Sequence, residues 1–361
     1  MTDHLTKVAY KTIQNSKTYF SLAHKSISSQ LLKAFAPPRK SQTTPIAPDL
    51  LMKIRERLDR LMETDWKDAE RGIYPTDLLF DHPWEDFLCQ YPLLCLDMPT
   101  VWMRSQQKKN QEFASNIDTS SYPAYYLQNF HHQTDGYLSE NSANLYDLQV
   151  ELLFNGAADA MRRRILAPLK RSLNPWESLS QNQLRILDVA CGTGRTLKFL
   201  RGMLPKAALF GIDLSPAYLR KANEILSQIP GELPQLSQAN AEEMPYRDDY
   251  FHGVTSVFLF HELPANTRQT VINECFRVLK PGGSLTLCDS IQVSDSPELK
   301  SVMENFAQMF HEPYYRNYIQ DDLVQRLETA GFTDIQTETH FMSKYWTAHK
   351  PHLSKLVGDL N

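Results

Sequence analysis

The sequence predicts an α/β protein: a mostly parallel sheet with helices on both faces, preceded by an all-α region. Three observations predict it. From Arg185 onward, short apolar runs alternate with helical segments, the pattern of parallel strands joined by covering helices. The first of those runs, Ile186-Leu187-Asp188-Val189-Ala190, closes in Cys191-Gly192-Thr193-Gly194, a buried strand ending in a glycine turn. Before residue 173, apolar side chains recur at helical spacing instead. With 361 residues the chain exceeds the usual single-domain size, so an accessory region beside the sheet is expected.

The first element carries a local charge bias. Between His4 and Pro48 there is no Asp or Glu, yet there are six Lys and one Arg: Lys7, Lys11, Lys17, Lys25, Lys33, Arg39 and Lys40. At about 100° per residue, Leu5, Ala9, Ile13, Phe20, Ile27, Leu31 and Phe35 share one face, while Lys7, Lys11, Lys25 and Lys33 share the other. The segment reads as a basic amphipathic helix. Such a helix suits peripheral membrane contact through residues 5–36, docking on its own protein, or a transit peptide. Pro37 and Pro38 should end it, with a Ser/Thr/Pro linker from Arg39 to Pro48.

A second helix is expected through Leu50, Ile54, Leu58, Leu61 and Met62, stopping before Gly72 and Pro75. Residues 74–111 read as helical, and a long helical pattern passes through Leu145, Leu148, Leu152, Ala157 and Met161. The tract Arg162-Arg163-Arg164 reads as a solvated helix face. The organisation expected is therefore a basic helix and linker (1–48), a helical accessory region serving as a lid (49–172), and a catalytic domain (173–361).

The net charge of −4 gives no reason to expect a nucleic-acid partner. Five cysteines, Cys89, Cys95, Cys191, Cys275 and Cys288, are scattered without a C-x-x-C pair, so neither a zinc knuckle nor a disulfide framework is expected. No apolar run approaches the roughly 18 residues that cross a bilayer. A cytoplasmic location, peripheral to a membrane if the first helix binds one, is the expectation; the oligomeric state stays open.

The chemistry is carried by the strand ends. Glycine at 192 and 194 lets a ligand approach the backbone and tolerates positive φ. A dinucleotide site would offer a third glycine, but that position is Leu197, which weakens a nicotinamide reading. Nineteen residues past Gly194, the run Ala208-Leu209-Phe210-Gly211-Ile212 ends in Asp213, where a carboxylate can accept both hydroxyls of a ribose. Two such strand ends flank the crevice in which doubly wound sheets bind ligands.

Here the chain resembles the class I methyltransferases of the UbiE and type 11 kind. The resemblance rests on Leu187-Asp188-Val189-Ala190-Cys191-Gly192-Thr193-Gly194, Gly211-Ile212-Asp213-Leu214-Ser215, Ala239-Asn240-Ala241-Glu242-Glu243-Met244-Pro245-Tyr246 and Arg277-Val278-Leu279-Lys280-Pro281-Gly282-Gly283. It implies a Rossmann-like sheet of seven strands, its cofactor core between about residues 184 and 290, and S-adenosylmethionine as cofactor. It further implies that Gly192 and Gly194 line the methionine end, with Asp188, Ala190 and Thr193 beside them. Asp213 and Leu214 hold the ribose, and Asn240 and Ala241 border the adenine. The family usually has Asp where this chain has Asn240, and Asp where it has His252. Tyr137 and Tyr146, ahead of the sheet, are expected to close over the cofactor.

The acceptor side begins in Val257-Phe258-Leu259-Phe260-His261-Glu262. His261 is the candidate catalytic base, since an imidazole titrates near neutrality; the bland alternative is a ring that only bonds a loop carbonyl. Glu262 is expected to point away, as alternate residues of a strand do. Phe258, Phe260, His311 and Tyr314 are the candidate acceptor pocket. No metal site is expected: His131, His132 and the pairs His261-Glu262 and His311-Glu312 come from three remote segments without recognisable spacing. The function expected is methyl transfer to a small apolar or aromatic acceptor, preferably at oxygen. C-methylation of a quinone-like or lipid acceptor, and a non-catalytic cofactor-holding interaction protein, are the alternatives.

Overall fold

The computed structural model describes residues 4–35 and 44–352. The expected Pro37-Pro38 stop and the linker as far as Thr43 lie outside the described residues. Six helices precede the sheet: α1 (His4–Phe35), α2 (Pro48–Glu70), α3 (Trp84–Gln107), α4 (Glu140–Leu153), α5 (Ala158–Arg163) and α6 (Leu166–Ser172). The expected long helix through residue 161 is thus broken between α4 and α5, where Asn155 and Gly156 adopt positive φ.

Thereafter strands and helices alternate: β1 (Arg185–Val189), α7 (Arg195–Met203), β2 (Ala208–Asp213), α8 (Pro216–Ser227), β3 (Gln235–Gln238), β4 (Phe251–Val257), α9 (Ala265–Val278) and β5 (Leu279–Ser290). Three short helices, α10 (Lys300–Met309), α11 (Tyr315–Tyr318) and α12 (Leu323–Thr329), lead to β6 (Thr333–His340) and β7 (Ser343–His349). The seven strands lie in the order β3-β2-β1-β4-β5-β7-β6, parallel except for β7, which runs antiparallel to both its neighbours. Strand order reverses between β1 and β4, so the crevice opens at their carboxyl ends.

Central strands covered on both faces need continuous apolar runs. In β1, Ile186 packs into one core, and Leu187 and Val189 into the other. The first core also takes Tyr10 of α1, Leu58, Leu61 and Trp66 of α2, and Met161 and Leu169. The helical region and the sheet therefore share apolar core across residue 172. His252, which departs from the family pattern, accepts the Arg185 backbone N–H at 3.0 Å and packs edge-on against Trp176; its role is to tie β4 to the start of β1.

Packing overturns one sequence expectation and decides a second point that the sequence left open. Arg162, Arg163 and Arg164 are not a solvated face but are all buried. Arg163 donates to both Asp65 oxygens at 3.0 and 2.6 Å, Arg164 to Asp68 at 2.7 Å and Glu338 at 2.8 Å, and Arg162 to Asp159 at 3.2 Å. Asp159 is three residues from Arg162, but Asp65, Asp68 and Glu338 lie far away in the chain, which a local charge run cannot reveal.

The second is the orientation of α1. Its polar face, Tyr10, Gln14, Lys17, Thr18 and Ser21, is buried against the protein. Lys7 reaches Glu63 at 2.7 Å, Lys17 reaches Glu151 at 3.4 Å and Lys25 the Asn155 amide oxygen at 2.6 Å. The apolar stripe is turned outward: Leu5 is 75% exposed, and Val8, Tyr19, Phe20, Leu22, Ile27 and Leu31 are exposed as well. The buried Glu151 of α4 draws Lys17 inward, because a buried carboxylate left unpaired is costly.

Candidate active site

The ends of β1, β2 and β4 border a cleft that opens to solvent, at the place where doubly wound sheets bind ligands. Ala190 and Gly192 line it from the β1 turn, Asp213 and Leu214 from the end of β2, and Asn240 and Ala241 after β3. Tyr126, Phe130 and Tyr137 cover it from the segment ahead of α4, with Tyr146 of α4 and Tyr218 of α8 beside them. Phe258, Leu259 and Glu262 close the far end. Sequence reasoning had pointed to Tyr137 and Tyr146; Tyr126, Phe130 and Tyr218 carried no signal beyond being aromatic.

Asp213 is held in a fixed orientation. Its Oδ2 accepts the Gly192 N–H at 2.9 Å and its Oδ1 the Ser215 N–H at 2.8 Å, leaving each oxygen a further lone pair for a ligand hydroxyl. Burial pushes its pKa above the usual carboxylate range. Gly192, at φ +53°, is bare: a Cβ there would meet nothing nearer than Tyr218 Cδ1 at 4.0 Å, so the space over its backbone is free for a ligand. A carboxylate for a ribose and a bare glycine turn for the amino-acid end fit S-adenosylmethionine. At the adenine position Asn240 Oδ1 accepts the Glu242 N–H at 3.0 Å and keeps one acceptor site.

Other expected contacts sit behind the wall rather than on it. Gly194, at φ +80°, faces away: a Cβ would press on Ala222 Cβ and Leu226 Cδ1, both at 3.1 Å, so this glycine permits α7 to approach α8. Thr193 donates to Asp147 of α4 at 2.9 Å, fastening the helical region to the turn. Asp188 accepts from Thr255 at 2.7 Å and binds β1 to β4; burial raises its pKa to about 7. Phe258 lines the cleft and stacks on Phe154, but Phe260 is core. His311 bonds Gln128 at 2.9 Å, and Tyr314 packs beside Tyr126 and Tyr137; neither lines the cleft.

The expectation for Glu262 is reversed. β4 stops at Val257, Phe258 takes φ +61°, and Phe260–Glu262 form one 3₁₀ turn, in which successive side chains no longer alternate across a sheet. Glu262 therefore faces the cleft, and Tyr137 donates its hydroxyl to it. His261 stands behind, 3.9 Å from Glu262 through Nε2. Its Nδ1 donates to Asp289 at 2.7 Å, and Asp289 also accepts the Phe260 N–H at 2.7 Å. Burial works against the charged ring, but the Asp289 carboxylate outweighs it and pushes the His261 pKa up to about 10. Burial and then neighbouring Glu312 lift Glu262 to about 7. His131, from the remote segment ahead of α4, completes the group. Burial opposes its charged form, but Glu312 prevails and raises its pKa.

Residues 186–283 match the family model described as a methyltransferase domain. With the bare glycine turn and the anchored Asp213, that match defines the chain as a class I S-adenosylmethionine-dependent methyltransferase. Its curated relatives include the demethylmenaquinone methyltransferase of a Geobacillus species, 26% identical over 44% of this chain and 75% of that protein. The enzyme of the same name from Anoxybacillus flavithermus is 26% identical over 47% of this chain and 80% of that protein. A crystal structure of a putative methyltransferase from Bacillus halodurans overlaps with a TM-score of 0.38 at 20% identity, covering 51% of this chain and 99% of that one.

Proposed function

We propose that the protein methylates a ring carbon of a hydroxylated, quinol-type aromatic acceptor taken from a membrane. The observation that carries the acceptor class is the composition of the far end of the cleft. Phe258, Tyr126 and Tyr137 supply flat apolar walls, and the Glu262 carboxylate, backed by His261, is the polar group at the edge. A ring stacked between such walls presents a hydroxyl to Glu262. S-adenosylmethionine would supply a methyl group that the ring carbon attacks in line; the C–S bond breaks, S-adenosylhomocysteine leaves, and the ring C–H proton is then lost to water to restore aromaticity. Glu262 accepts the hydroxyl hydrogen bond and draws electron density onto the ring, with Tyr137 and His261 fixing its position. The relatives' name supports carbon over the oxygen that His261 alone had suggested, since demethylmenaquinone is completed by a ring methyl.

The test is turnover of ¹³C-methyl-labelled S-adenosylmethionine with a reduced demethylnaphthoquinone in vesicles, read by ¹³C NMR of the extracted product. A methyl bonded to carbon is expected. A methyl on oxygen overturns the choice of atom, and no transfer to any quinol overturns the acceptor class. Glu262→Gln should lower kcat by roughly 10²-fold or more, the order of a proton-handling group.

Membrane contact is supported by the outward stripe of α1. α3 lies alongside it, with Phe20 on Tyr91 at 5.2 Å between ring centroids and His24 bonded to Tyr91 at 3.1 Å. α3 also exposes large apolar groups, Leu88, Leu93, Met103 and Leu96, the last 77% exposed. Scattered exposed leucines are ordinary, but two adjacent helices exposing such residues form a patch of the kind that meets a partner or a lipid surface. No described helix is long and apolar enough to cross a membrane. The combined change Leu5→Glu, Ile27→Glu and Leu31→Glu is expected to abolish co-sedimentation with anionic vesicles. If the parent chain stays in the supernatant, or the variant still sediments, the lipid reading fails. A dimer-to-monomer change in analytical ultracentrifugation would replace it by a second copy of this chain.

A further inference from the structure

We propose that His131, His261, Glu262 and Glu312 form a binding site for one divalent first-row transition-metal ion at the acceptor end of the cleft. One ligand atom from each, two imidazole nitrogens and two carboxylate oxygens, lie within 4.8 Å of one another. Donors about 2.0–2.2 Å from a common ion stand about 3–4 Å apart, a contraction that small side-chain rotations provide. The ion would displace the Nε2 protons of the two imidazoles to water, and the two carboxylates would then balance its charge. The mixed nitrogen and oxygen set suits zinc, manganese, iron or cobalt better than magnesium or calcium.

Two independent features point to a ligand rather than to a self-contained polar cluster. Glu312 is completely buried at its side chain, yet neither of its oxygens has a hydrogen bond. His131 Nε2 stands 2.8 Å from Oε1, a pair that is ionic only while that ring is protonated. With that ring neutral the buried carboxylate has no donor, which is costly, and a metal cation in place of the proton would satisfy it. The second feature is His261: Asp289 takes its Nδ1 hydrogen at 2.7 Å, which leaves Nε2, once an ion displaces its proton, as the nitrogen facing the cluster. A carboxylate behind a histidine in this way is the usual outer support of a metal-bound imidazole. Tyr137 supports Glu262 in the same manner. Phe306 and Phe310 pack on the His131 ring and shield that side.

Glu262 is the member that reaches the cleft wall, so a bound ion would meet an acceptor oxygen there. If the acceptor is a quinol, as proposed above, its hydroxyl would release a proton to water on binding the ion and leave an electron pair conjugated with the ring carbon. The metal site itself does not depend on that reading, because it is measured with no acceptor present.

The experiment is titration of the full-length, chelator-treated protein with Co²⁺ alone, followed by calorimetry and by visible absorption. One equivalent is expected to bind and produce d–d bands of an ion in mixed imidazole and carboxylate ligation. Glu312→Gln and His131→Ala should each weaken binding by at least about tenfold. Both variants should hold S-adenosylhomocysteine as the parent does, showing that they fold. Absence of saturable one-to-one binding in the parent chain, or variants that fold and bind Co²⁺ as it does, would overturn the site. Failure of quinol turnover with metal binding intact would overturn only the acceptor.

Discussion

Asp213→Ala is expected to weaken S-adenosylhomocysteine binding roughly 10²- to 10⁴-fold, because two hydrogen bonds from ribose hydroxyls to a charged acceptor contribute about 1.5–3 kcal/mol each. The carboxylate is half-buried on the cleft wall, and its oxygens are oriented by the Gly192 and Ser215 N–H groups. It therefore has no freedom to find other partners, and no neighbouring carboxylate lines the cleft from β2 to replace it. Asp213→Asn should fall between the two, since one acceptor oxygen survives but the charge does not. Isothermal calorimetry with a circular-dichroism check of folding decides the matter. Affinity within about threefold of the parent's in a folded Asp213→Ala variant would show that the ribose lies elsewhere.

Arg163→Met is expected to destabilise the chain by about 3–5 kcal/mol, the cost of leaving a buried carboxylate without its cation. Arg163 is fully buried, its guanidinium bonds both oxygens of Asp65 and the Leu78 carbonyl at 3.1 Å, and Tyr10 and Tyr74 donate to the same carboxylate at 2.7 and 2.6 Å. The cluster locks α1, α2 and α5 together. Replacing both partners, Arg163→Met with Asp65→Leu, should cost less than the single change plus Asp65→Leu alone, because no charge is then stranded. Urea unfolding followed by far-ultraviolet circular dichroism measures all three. A single-variant loss below about 1 kcal/mol would mean that water reaches Asp65.

The cofactor half of the site was legible in the sequence because its determinants are local. A glycine turn after an apolar strand, and an acid at the end of the next strand, sit in fixed relation to the backbone. Gly192, Asp213, Leu214, Asn240 and Ala241 accordingly lie on the cleft. Gly194 and Thr193 belong to the same motif, yet they face α8 and α4, which no strand pattern discloses. The acceptor half was legible only in part. His261 was singled out by its position after β4 and stands behind Glu262 rather than on the cleft, and the reading of Glu262 failed because it assumed that the strand continued. The turn at Phe258 rotates Glu262 into the cleft instead.

What the sequence alone determined was the sheet of alternating strands and helices, the cofactor motif and the amphipathic character of α1, all set by periodicity and by residues within a few positions of each other. Tertiary structure decided which face of α1 turns outward, what the three arginines pair with, and that His131, His261, Glu262 and Glu312 meet at one point. Those outcomes depend on partners more than 40 residues apart in most cases. Charge pairing in a buried interior is decided by what the fold brings within a few ångströms, and no local pattern encodes that distance.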